Sequence, residues 1–162
     1  TPFHGGFGLV AEGCIPKPTF WSFVFFKRLK EKKGRCILRD GNAVVMRLED
    51  GSYRGVVWND ALGRKGEPCL LTLEMKEEGE GCLLTETVDE EHGNPLKVWH
   101  DLGEPANLTE QERKILRSAA RPFVETRRVG SEGGKAGATF AVRENAVVYF
   151  EWRPGGIVSD RG

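Results

Sequence analysis

From Gly34 onward the apolar residues recur with a period of two, in runs that never exceed one short strand. Val44, Met46 and Leu48 alternate with Val45, Arg47 and Glu49, and Asp50-Gly51 then supplies a strong two-residue hairpin signal. Tyr53-Arg54-Gly55-Val56-Val57-Trp58 reads as the return strand. Further strands are predicted over 35–39, 69–75, 82–88, 123–129, 138–143 and 146–152. Gly accounts for 21 of 162 residues, about 13% against a usual ~7%, which favours tight turns over long helices. About eight short strands with this punctuation predict a mainly β fold, an antiparallel β-sandwich.

Two segments break the pattern. Pro18 suits the first turn of a helix, Lys30, Lys32 and Lys33 suit its negative end, and Gly34 suits the position just beyond. Such a helix would be roughly 24 Å long. Its first two turns, with Phe20, Trp21, Phe23, Val24, Phe25 and Phe26, are apolar nearly all round, so neighbours are expected on more than one side. The second segment opens on Thr109-Glu110-Gln111-Glu112, a capping box. Ile115, Leu116, Ala119 and Ala120 form its apolar stripe before Pro122. One short helix is therefore expected within the sandwich.

Composition narrows the function classes. Lys+Arg and Asp+Glu are 24 each, which gives no global charge to draw the chain onto nucleic acid or an anionic membrane. No run approaches the ~18 apolar residues of a membrane helix. Cys14, Cys36, Cys69 and Cys82 form no CxxC, and three of them sit beside strand-like apolar residues. Buried reduced thiols are expected, and with them a cytoplasmic location. Thr1-Pro2 stands where an initiator Met would, without a signal-peptide pattern, so the sequence is expected to be a piece of a longer chain.

The candidate constellations have bland readings. Gly5-Gly6-Phe7-Gly8 precedes a helix but follows no strand and lacks a GK[ST], so a turn or ligand-lining loop outweighs a phosphate cradle. His92 and His100, among Asp89, Glu90, Glu91 and Asp101, fit no short metal pattern and read as a solvated loop. No metal or other cofactor is expected. Trp21, Trp58, Trp99 and Trp152 could form a sugar-stacking platform, but core filling is the better reading of each.

The residues at the two motif blocks carry a resemblance. Thr1-Pro2-Phe3-His4-Gly5-Gly6-Phe7-Gly8-Leu9, then Pro16-Lys17-Pro18-Thr19-Phe20-Trp21, resembles the loop and last helix that close the (β/α)8 barrel of glycoside hydrolase family 39. Val88-Asp89-Glu90-Glu91-His92-Gly93-Asn94-Pro95, Trp99, Leu102-Gly103, Pro105 and Leu108-Thr109 resemble the C-terminal β-sandwich of that family's bacterial β-xylosidases. The resemblance implies a division into 1–34, the barrel's terminal loop and last helix, and 35–162, the sandwich. It also implies a retaining exo-hydrolase acting on β-1,4-xylo-oligosaccharides from the non-reducing end.

Such an enzyme needs two carboxyl groups about 5–5.5 Å apart. The family carries both on barrel strands upstream of the Phe-His-Gly-Gly loop, the acid/base after an Asn, and no Asn-Glu dipeptide occurs in this chain. No catalytic residue therefore carries over, and the chain alone is expected to be inactive. Only Phe3, His4, Gly5, Gly6 and Phe7 would line substrate. The expected partners are the missing catalytic barrel, xylo-oligosaccharide in the intact enzyme only, and further copies in a homo-oligomer. A carbohydrate-binding β-sandwich module is the alternative, to be told apart by whether Trp58, Trp99 and Trp152 are buried or line an open face.

Overall fold

The computed structural model of the chain describes residues 1–3, 8–59, 68–75, 79–132 and 135–155. A two-residue ribbon of β1 (Val10–Ala11) and β2 (Ile15–Pro16) leads into α1 (Pro18–Arg28). The strands β3 (Gly34–Arg39), β4 (Ala43–Leu48) and β5 (Tyr53–Trp58) follow as a meander, then β6 (Cys69–Met75) and β7 (Gly81–Val88). Two helices, α2 (Pro95–Asp101) and α3 (Glu110–Ala119), stand before β8 (Phe123–Val129). The described chain closes with β9 (Ser131–Glu132), β10 (Lys135–Val142) and β11 (Val147–Pro154).

Among the described residues, nine strands form the antiparallel architecture expected of the sandwich: a six-stranded sheet, β3-β4-β5-β11-β7-β8, and a three-stranded one, β6-β10-β9. The hairpin signalled by Asp50-Gly51 forms with a three-residue loop, Glu49-Asp50-Gly51, closed by the Leu48 N–H donating to Ser52 O at 2.8 Å, with Gly51 at a φ of 83°. Asp50 accepts from the Ser52 amide at 2.9 Å, and the Ser52 hydrogen bonds hold its carboxyl below the ordinary range.

Period two puts alternate residues of each strand on opposite faces, and here both faces of the large sheet are covered. Ala43, Val45, Val57, Leu83, Val148, Phe150 and Trp152 pack with Val142 of the small sheet between the two layers. Val56, Val88 and Tyr149 face the other way, onto Phe25 and Leu29. That double cover explains why Val44 and Val45 are both apolar in β4. A third cluster ties Ala11 and Ile15 of the opening ribbon to Trp99, Leu116 and Ala120 on the helices between β7 and β8.

Several expectations are corrected. α1 ends at Arg28 rather than near Lys33, because Leu29 turns into the core and the chain enters β3. Gly34 is thus not a helix terminator; a Cβ there would lie 2.4 Å from Arg47 O, so it permits close pairing of β3 and β4. Two helices, not one, interrupt the strands. α2 occupies part of the stretch read as a solvated loop, with Pro95 and Trp99 buried. Asp89, assigned to the same loop, is buried too: its Oδ1 accepts from the Glu91 and His92 amides at 2.8 and 2.7 Å and lies 2.8 Å from His92 Nδ1.

The expectation of buried thiols fails for Cys14 and Cys36, which are exposed, while Cys82 is half-buried; all three are free. The Cys69 thiol lies outside the described side chains. No described helix is long and apolar enough to cross a membrane.

Candidate functional site

α1 is asymmetric. On its sheet side Phe25 is fully buried and stacks on Tyr149 with ring centroids 5.5 Å apart. Trp21 donates its indole N–H to Ala120 O at 2.7 Å, which ties the helix to the end of α3. On the opposite side Phe23 is 62% exposed and Phe26 39%, the latter beside the half-buried Trp58 at 5.8 Å. The all-round apolar pattern read in the sequence is therefore satisfied on one side only. Leu9 and Val10 are exposed, and Phe3 packs against Trp99, so these residues of the opening segment do not cover the bare side.

Of the five residues expected to line substrate, Phe3 is described and His4, Gly5, Gly6 and Phe7 lie outside the described residues. Phe3 borders a cleft of roughly 430 Å³, a size that small ligands occupy. Lys17, Pro18 and Thr19 come to it from the start of α1, and Asn94, Leu96, Trp99 and His100 from α2 and its cap. The Phe3 ring tilts against Trp99, and Trp99 is fixed from behind by its N–H to Pro105 O at 3.0 Å. The Asn94 amide donates to Glu90 O at 3.1 Å, and His100 pairs with Glu104. Among the described residues the cleft is lined by apolar rings, an amide, an imidazole and an ammonium, without a carboxylate. It can hold a neutral polar molecule against a ring, but among its described lining residues there is no carboxylate pair.

Glu104 reaches the cleft's His100, and other carboxylates lie elsewhere. Asp89 is spent on its own turn, and Glu90, Glu91 and Glu144 share a separate cleft with Arg143. Glu86 pairs with Arg28 beneath α1. Glu151 receives Arg153 through Nε at 3.0 Å and Nη2 at 2.6 Å. No group of three or more His, Cys, Asp or Glu among the described residues stands in a metal-holding arrangement.

Sequence reasoning missed the charged layer under α1. Its signal was present: Arg54 is the one charge in β5, Glu151 sits within the apolar run Val147–Trp152 of β11, and paired strands set the two opposite each other. Of the tryptophans, Trp99 and Trp152 are buried, while Trp21 and Trp58 are half-buried against the cluster of Phe25, Leu29, Val56, Val88 and Tyr149.

Comparison with known proteins gives this arrangement relatives. The sequence model of the family described as glycosyl hydrolases family 39 matches residues 1–136. A β-xylosidase of Geobacillus stearothermophilus is 36% identical over 152 residues, covering 92% of this chain and 29% of its own length. A β-xylosidase of Caldicellulosiruptor saccharolyticus is 26% identical over 124 residues, 74% of this chain and 25% of its own length. Among solved structures, the GH39 enzyme from Xanthomonas axonopodis pv. citri superposes with a TM-score of 0.75 at 26% identity, over 96% of this chain and 34% of that one. A monomeric β-xylosidase from Caulobacter crescentus shares the fold with a TM-score of 0.73 at 22% identity, over 96% of this chain and 34% of that one. The chain thus spans about a third or less of the length of these relatives.

Proposed function

Because this chain belongs to glycosyl hydrolases family 39, we propose that it is the C-terminal part of a retaining β-xylosidase and serves there as a structural accessory domain. Residues 1–34 supply the barrel's closing loop and last helix, and residues 35–162 the sandwich that carries them. Hydrolysis of β-1,4-xylo-oligosaccharides belongs to the intact enzyme, whose carboxylate pair lies outside this chain.

The observation that carries this reading is the two-sided character of α1. One side is fixed to the sheet by Phe25, Leu29 and Trp21, and the other presents Phe23 and Phe26 outward. Burying a large apolar side chain is worth roughly 1.5–3 kcal/mol, so the outward Phe23, beside a Phe26 that Trp58 covers only in part, suits a covering partner. The catalytic barrel is that partner.

The test uses the intact enzyme beside the 162-residue chain. Phe23→Glu should lower the thermal midpoint of the intact enzyme and leave that of the isolated chain nearly unchanged. Equal losses in both, or none in the intact enzyme, would contradict the assignment of this side to the barrel.

A carbohydrate-binding module is the second reading, and the open cleft beside Phe3 is what favours it. It requires that the chain alone bind xylo-oligosaccharide. Against it, Trp99 and Trp152 are buried and Trp58 is partly covered by Phe26, which leaves those three rings without the open row that stacks a glycan chain.

A further inference from the structure

The charged layer between α1 and the sheet is more than an accessory domain's packing requires. Glu151 lies between Phe150 and Trp152, both fully buried, and its own side chain is only 10% exposed. A carboxylate so placed is costly unless charges and donors answer it. Here the Tyr149 hydroxyl donates to Oε1, Arg54 Nε lies 3.3 Å from the same oxygen, and Arg153 takes Oε2 from two nitrogens. The Arg54 guanidinium then reaches α1, its Nη1 donating to Arg28 O at 2.7 Å. That carbonyl belongs to the last helical turn, where the helix dipole is negative. The Arg28 guanidinium in turn stands 5.0 Å from the Tyr149 ring and pairs with Glu86.

We infer that Glu151 is the positioning residue that couples α1 to the sandwich: its charge holds Arg54 against the last turn of the helix, and removing that charge frees the helix while the strands stay paired. Without it, Arg54 and Arg153 lose the anion they share. Arg54 Nη1, which also lies 3.6 Å from the half-exposed Glu31 carboxylate, then loses the anchor on its Nε side that aims it at the helix carbonyl.

Burial raises the Glu151 carboxyl, but donation from Tyr149 and Arg153 and the nearby Arg54 charge outweigh it and hold it below the ordinary range. A depressed carboxyl stabilises the folded state above its unfolded value, and that contribution is lost as pH falls through the folded value. The coupling is therefore intact at neutral pH and fails only in acid. Tyr149 and Arg153 on β11 and Arg54 on β5 face Glu151 directly, and Lys32 and Asp50 line the same cleft. Arg28, Glu31, Glu86 and Cys82 stand one partner further out, beside Tyr149, Arg54, Arg28 and Arg153 respectively. Glu31 and Glu86 are carboxylates as well, so substitution isolates Glu151 where acidification does not.

Amide hydrogen exchange on the whole chain is the test, comparing Glu151→Gln and Tyr149→Phe with the parent. Hydrogen bonds to charged groups are the stronger class, so Glu151→Gln should speed exchange over residues 22–30 about ten-fold or more. Protection in β4, β5 and β11 should stay within about two-fold. Unchanged exchange in the helix, or equal acceleration of helix and strands, would overturn the coupling. Should Glu151→Gln not fold, Tyr149→Phe decides: it removes one hydroxyl and leaves the core intact. Acceleration confined to α1 supports the inference, and none overturns it.

Discussion

Gly55 shows how much of this fold rests on a missing side chain. It pairs with Phe150 across β5 and β11, and a Cβ at Gly55 would stand 2.3 Å from two atoms of the Phe150 ring and 3.1 Å from Val44 O. Both obstacles lie in a closed core, so neither can yield cheaply. Gly55→Ala should lower stability by about 2–3 kcal/mol, the upper part of the usual overpacking range. In urea this is a lower midpoint at unchanged slope; a variant as stable as the parent would show that the two layers pack loosely there. Single residues were read unevenly from sequence. Trp99 and Trp152 fill the core as their apolar character implies, whereas Cys14 and Cys36 are exposed although Cys is so often buried. Cys14 sits in the turn between β1 and β2 at a φ of 58°, and β3 is an edge strand whose every residue is exposed. Neither circumstance is visible in composition or spacing.

Elements were legible where a local signal needed no tertiary partner. The capping box of α3 forms in full: Thr109 Oγ1 accepts from the Glu112 amide at 3.2 Å, and the Glu112 carboxylate accepts from the Thr109 amide at 2.7 Å. Thr109→Ala should cost about 1 kcal/mol, read as a fall in the urea midpoint, and Thr109→Ser should restore most of it. A loss absent from Thr109→Ala would mean that Leu116, fully buried beneath the helix, fixes α3 without its cap. Asn94-Pro95 is a start signal of the same kind as Lys17-Pro18, but the acids that dominate the residues before it mask α2 behind a loop-like composition. The length of α1 was misjudged for another reason: cations after Arg28 suit a helix end, but the pull of Leu29 into the core ends it sooner.

For the whole molecule, alternation and turn chemistry carried the sandwich, because antiparallel strands are joined locally and each hairpin leaves a mark. The candidate site was far less legible. A cleft such as the one beside Phe3 needs residues 3, 17–19 and 94–100 brought together by the fold, and no spacing reports that. The bare side of α1 is likewise a property of the assembled molecule: the sequence shows six apolar residues around the axis but not which of them the sheet will take. What unites these features under the proposed function is a domain that holds and presents a helix while the hydrolytic chemistry belongs to the rest of the enzyme. Calorimetric titration of xylohexaose into the 162-residue chain near neutral pH tests this claim most directly, since one trace reports both binding and hydrolysis. Heats of dilution alone are predicted. Saturable heat with a dissociation constant below about 1 mM, or sustained heat from continuing turnover, would contradict it.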